Sequence, residues 1–198
     1  MRRSRTETAE SRQRIVKAAS HLMRERGAEQ VSVADIMTET GMTHGGFYVH
    51  FPDKDALLAE ATKEAFSEKL DQIDSEDKAA RAEALRSYID GYMTLDHVLD
   101  PGFGCPIAGL GPNSTRAVPV VRKAMSEGAE RTITTFARDL PKLRGSEREN
   151  AIRTLISMVG SLVVARALKG KDLQKEVIDI MRKSEPLRTV LRPSPTSN

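Results

Sequence analysis

A single cysteine, Cys105, stands in the whole chain, which excludes an internal disulfide framework but leaves a reactive thiol open. No apolar run approaches the roughly 20 residues that span a bilayer. The basic start, Met1-Arg2-Arg3-Ser4-Arg5, is followed by no apolar signal segment, so a cytoplasmic protein without membrane contact is expected. There is no Ser/His/Asp order, no phosphate-cradling glycine loop and no His/Cys cluster at metal-ligand spacing. No catalytic residue, metal or cofactor is therefore expected. Cys105 and His97, eight residues apart, leave a cysteine-dependent enzyme as the remotest alternative, because nothing completes such a site. Excess charge is scarce too, at +3 overall. That argues against a non-specific architectural DNA binder, which depends on broad phosphate neutralisation.

The charge that is present is uneven. Residues 1–26 hold eight Lys/Arg against three acids, a local +5, which leaves −2 for the remainder. A basic end on a near-neutral body faces a polyanion or is a solvated helix; charge alone does not decide which.

Helical period dominates the pattern. Ile15, Ala18, Ala19, Leu22 and Met23 form one apolar stripe that stops at Gly27. Ser32 and Asp35 have the spacing of a capping box ahead of Ile36 and Met37. Gly41 breaks that short helix. Thr43 is placed to cap the next, which buries Phe47 and Phe51 and ends at Pro52. Residues 8–52 thus read as three short helices, and a long one runs from Asp53 through Leu70. Beyond about Ala79, one helix carries Leu85, Tyr88, Ile89, Tyr92, Met93 and Leu95. A Gly/Pro-rich irregular segment covers 101–112. Helices follow near 118–140, 147–168 and 172–183, and the tail after Pro186 reads as frayed. The expectation is an all-α fold with an N-terminal three-helix domain over 9–69 and a larger helical domain over 70–192.

Two helices joined by a short glycine-containing turn, about 32–51, describe a helix-turn-helix, whose second helix lies in the major groove. That places Thr43, His44 and Gly45 at base edges, with Tyr48, His50 and Lys54 suited to phosphates. The DNA-binding set is Ser32, Thr43, His44, Gly45, Tyr48, His50 and Lys54. The same spacing also fits an ordinary helical corner with surface histidines.

Residues 41–57, Gly-Met-Thr-His-Gly-Gly-Phe-Tyr-Val-His-Phe-Pro-Asp-Lys-Asp-Ala-Leu, decide between these. They closely resemble the signature of the TetR family of bacterial transcriptional regulators, and the resemblance covers about 9–69. Gly46 departs from it, since the family usually carries there a side chain able to touch DNA; readout then rests on Thr43, His44 and Tyr48. The resemblance implies a homodimer on a palindromic operator, released by a small-molecule or reactive effector. In 147–168, Ile152, Leu155, Ile156, Val159 and Val163 offer one apolar face for pairing, and Ser157, Gly160, Ser161, Val164 and Ala165 a small-residue face beside it. An internal core helix fits the same pattern.

For the signal, Pro106 suits the first position of a helix, which puts Cys105 at its N-cap, where the positive helix end favours a thiolate. Flanking glycines are expected to keep it accessible. Gly104-Cys105-Pro106 also resembles a TetR subgroup that senses electrophiles or hypochlorite through a cysteine; an inert buried thiol is the alternative. A non-covalent effector would instead use a pocket lined by Tyr88, Tyr92, Met93, Phe103, Met125, Phe136 and Met158.

Overall fold

The computed structural model describes residues 5–192, and among them all regular structure is helical. The basic residues Arg2 and Arg3, and the tail 193–198, lie outside the described residues. The elements run α1 (Arg5–Arg26), α2 (Val33–Glu39), α3 (His44–Phe47), α4 (Lys54–Leu70), α5 (Lys78–Tyr92), α6 (Leu95–Leu99), α7 (Pro106–Leu110), α8 (Pro119–Asp139), α9 (Glu147–Ala167), α10 (Lys171–Arg182) and α11 (Leu187–Val190). 3-10 segments Asp71–Ile73 and Gly111–Arg116 follow α4 and α7. No helix among the described residues is long and apolar enough to cross a membrane.

The chain divides into two compact units that interleave along the sequence: 1–68 with 101–129, and 69–100 with 130–198. In the first, the stripe of α1 forms the core as its spacing dictates. Ile15, Ala19, Leu22 and Met23 are buried with Ile36 and Met37 of α2, Phe47 and Phe51 around α3, and Leu57 and Ala61 of α4. The first helix is not short; it spans 22 residues, because its stripe continues back to the buried Ser11. Gly27, at φ +88, closes it and donates its N–H to the Met23 carbonyl at 2.9 Å. The segment 101–116 also belongs to this unit, with α7 packed on α1.

A charged group sits inside this core. Arg24 is 4% exposed. Its guanidinium donates to the Ser20 carbonyl at 3.1 Å, the Gly104 carbonyl at 3.0 Å and Glu68 Oε2 at 2.7 Å. A buried cation is tolerated when its donors are satisfied in this way.

In the second unit, α9 packs on α10 and α6. Ala151, Thr154, Leu155, Met158, Ser161, Leu162 and Ala165 of α9 face inward. Leu155, Ser161 and Ala165 therefore belong to the core and not to an outward pairing face. The outward face keeps Ile156, Gly160, Val163 and Val164 exposed. Leu95 does not continue α5. Met93 leaves helical geometry at ψ 54, and Thr94 caps α6 by accepting from the His97 N–H at 3.3 Å. His97 rests edge-on against Tyr92 with its Nδ1 2.8 Å from the Tyr92 carbonyl. Burial pushes its pKa down to about 4 against the opposing pull of that hydrogen bond. After Pro186 the chain is not irregular at once: α11 follows and buries Leu187 and Val190.

Candidate nucleic-acid interface

The reading head is assembled from local hydrogen bonds. Ser32 Oγ accepts from the Asp35 N–H at 3.1 Å, and Asp35 Oδ2 accepts from the Ser32 N–H at 2.8 Å, the reciprocal pair of a capping box. Those bonds from Ser32, with Arg26 and Lys54 nearby, hold the Asp35 carboxyl below the usual carboxylate range. The Ser32 hydroxyl is thus used first as a cap.

Helix α2 ends in a Schellman turn. The Gly41 N–H donates to the Thr38 carbonyl at 3.0 Å and the Met42 N–H to the Met37 carbonyl at 2.9 Å, with Gly41 at φ +68. A side chain there would be strained, so glycine sets the angle at which α3 leaves. Thr43 occupies the N-cap position of α3 in extended geometry, without a capping hydrogen bond from its side chain. Its hydroxyl is thereby spared for other partners.

Beneath α3, Phe47 and Phe51 stack at 5.6 Å, and the Arg12 guanidinium lies 4.6 Å over the Phe51 ring while pairing with Glu60 at 2.5 Å. The buried pair anchors one side of the helical turn and leaves the other outward. On that side Thr43, His44 and Gly45 are exposed, and Tyr48 is 64% exposed. The Tyr48 ring stands edge-on to Phe47 at 5.1 Å and to His44 at 6.1 Å, so the core holds it upright. The structure therefore brings Thr43, His44, Gly45 and Tyr48 onto one surface. His50 is only half-buried beside Phe51. Lys54 opens α4 and is half-buried, its Nζ 3.4 Å from the Ala28 carbonyl, so a phosphate would compete with a weak internal bond.

Val49, 73% exposed, was missed. An apolar residue flanked by Tyr48 and His50 reads from sequence as buried, and its exposure would suit a thymine methyl. At Gly46 a Cβ would meet Thr43 and Met37 at ordinary distances of 3.6 and 3.7 Å, so packing does not demand glycine there.

The signal residues are divided between the two units. Tyr88, half-buried, lies 6.1 Å from the buried Tyr92 and 6.3 Å from Phe136 in the second unit. Phe103 belongs to the first unit, is 57% exposed and packs 4.5 Å from His21. Met125 likewise lies in the first unit. Cys105 does take the N-cap position of α7 ahead of Pro106, but it is buried. The neighbouring glycines do not open access to it. Gly102 is pressed on the His21 ring, which a Cβ would meet at 2.4 Å, and Gly104 is held by Arg24.

An all-helical chain with a locked helix-turn-helix and an outward reading face is a DNA-binding transcriptional regulator. Residues 15–61 match the model of bacterial regulatory proteins of the tetR family. That match covers about a quarter of the chain, the part that holds the helix-turn-helix. It is 28% identical over 166 residues to an uncharacterized HTH-type transcriptional regulator of Mycobacterium tuberculosis, covering 78% of this chain and 84% of that one. It is 26% identical over 176 residues to the HTH-type transcriptional repressor DhaR of a Mycobacterium species, covering 89% and 86%. Its fold superposes on reduced NemR of E. coli with a TM-score of 0.71 at 15% identity, over 88% of this chain and 97% of the other.

Proposed function

We propose that the protein is a sequence-specific repressor that binds a palindromic operator as a homodimer and lets go when an effector arrives. Residues 9–69 would form the DNA-binding domain and 70–192 the regulatory and dimerising domain. The observation that carries this is the outward set Thr43, His44, Gly45 and Tyr48 on a turn fixed by Gly41. Thr43 and His44 choose bases, while Tyr48, His50 and Lys54 position the backbone. The name of DhaR supports repression.

The contrast between two variants tests the assignment. Lys54→Ala is expected to weaken binding alike on every sequence and lower the salt slope by about 1. His44→Ala is expected to relax preference at one or two base pairs, each by roughly 1–3 kcal/mol. Equal loss on all sequences for His44→Ala would remove it from base readout.

The homodimer is supported by the outward face of α9, where Ile156 is 65% exposed, and by exposed Leu173 and Ile180 on α10. Both helices carry apolar residues on a face the chain itself does not cover. The effector is a small molecule or an electrophile or oxidant acting at Cys105. Because the thiol is buried, a reagent would reach it only when the 101–105 segment opens. With Cys105→Ser, release of operator by hypochlorite or a quinone should be lost. Release at the parent's dose would make the thiol structural and the effector non-covalent.

A further inference from the structure

We propose that Val49 reads the C5-methyl group of a thymine in each operator half-site, with the bare backbone of Gly45 as the floor of the notch that receives it. This role rests on the repressor reading above and adds to it one specificity-determining residue and the chemical group it takes.

Neither packing nor helix propensity accounts for valine at position 49. The Phe47 carbonyl accepts from the His50 N–H at 2.9 Å and the Phe51 N–H at 3.0 Å, so the chain keeps a helical path through Val49. Two residues turn a helix by about 200°, which points Val49 away from the buried Phe47 and Phe51. Tyr48 and Val49 are the two large apolar side chains left exposed among residues 32–54. A branched side chain also lowers helix propensity, and lysine or glutamate would do better at an exposed turn. A lone exposed valine elsewhere would need no explanation. This one adjoins the exposed reading residues Thr43, His44, Gly45 and Tyr48.

The neighbours define what Val49 can touch. Cα–Cβ bonds on a helix tilt toward its N-terminus, so Val49 leans toward the residue four before it, Gly45. Apart from its chain neighbours, a Cβ on Gly45 would meet no side chain within 4 Å, Val49 included. An open notch therefore lies between the glycine backbone and the valine methyls. Carbon atoms in contact stand about 3.5–4.0 Å apart, so one methyl group fits there. Valine has no hydrogen-bonding group, so it makes no bond to a phosphate or to the donors and acceptors of a base. The apolar group that a base pair presents in the major groove is the C5-methyl of thymine. 5-Methylcytosine carries a methyl at the same place, so the notch takes it as well.

The test uses the full chain and the duplex it selects from random DNA. Each thymine of one half-site is exchanged in turn for deoxyuridine, which keeps every hydrogen-bonding group and removes only the methyl. At one position the exchange should weaken binding of the parent about 4-fold, the worth of one buried methyl. Val49→Ala should bind the thymine duplex about 10-fold weaker or more, because both half-sites lose the contact, and should bind thymine and deoxyuridine at that position alike. At the same base pair, 5-methylcytosine should be bound by the parent about 4-fold tighter than cytosine. The paired bases are compared on one protein, so any change in its folding cancels. The proposal is overturned if the selected half-site holds no thymine, or if no exchange for deoxyuridine weakens the parent. It is overturned equally if Val49→Ala keeps the difference, or if cytosine and 5-methylcytosine bind the parent alike. Any of these leaves the repressor reading standing. Equal affinity of the parent for the selected and a scrambled duplex would overturn both.

Discussion

Arginine in place of Gly160 is expected to leave each chain folded and to lower operator affinity by 100-fold or more. Gly160 is exposed on α9, and a Cβ there would meet nothing within 4 Å. Arginine is also a better helix former than glycine by nearly 1 kcal/mol, so the single chain should gain slightly in stability. What it would lose is close approach of a second α9. A monomer presents one reading head, and the second half-site contact then loses its intramolecular advantage, about 10²–10⁴ in effective affinity. Gly91→Arg on α5 is the control, because that position is equally open. Light scattering should show a monomer for Gly160→Arg and a dimer for Gly91→Arg. A dimer with unchanged operator affinity for Gly160→Arg would place the pairing surface elsewhere.

Replacing Arg24 by methionine should lower stability by about 2–3 kcal/mol, a fall in Tm of roughly 5–10 °C for a chain of this size. Methionine fills the apolar part of the space but donates nothing. The buried Gly104 carbonyl then loses its donor, and Glu68 loses its cation. The estimate sits below that for a fully buried pair because the Glu68 side chain is 33% exposed. Loss is also expected to be local, since Arg24 ties α1 to the 102–104 segment. Hydrogen exchange should rise in 101–112 more than in α9. A thermal midpoint within 2 °C of the parent, roughly 1 kcal/mol or less, would mean that the network contributes little.

The parts of the fold that could be read from sequence are those made by neighbours in the chain. Ser32 and Asp35 cap α2, and Gly41 turns the chain, through bonds that span three to five residues. Their chemistry is complete within the motif. The break between α5 and α6 was hidden because the apolar spacing from Leu85 continues through Met93 to Leu95 while Thr94 diverts the backbone. Burial of Cys105 was hidden for a different reason. It depends on the 102–104 segment being packed by His21 and Arg24, about 80 residues earlier. One clue was available: Arg24 interrupts the apolar face of α1, and a cation in a buried stripe requires partners from elsewhere. That Phe103 and Tyr88 belong to different units was hidden because the units interleave along the sequence.

The central claim is that residues 43–54 read a defined sequence. The direct measurement is selection of bound duplexes from random DNA by the full chain, followed by affinities for the selected and a scrambled duplex at about 150 mM salt. The account predicts an inverted repeat with half-sites spaced for two reading heads, bound about 10³-fold or more tighter than the scrambled duplex. Equal affinity for both duplexes would contradict it and leave only non-specific attraction to phosphate.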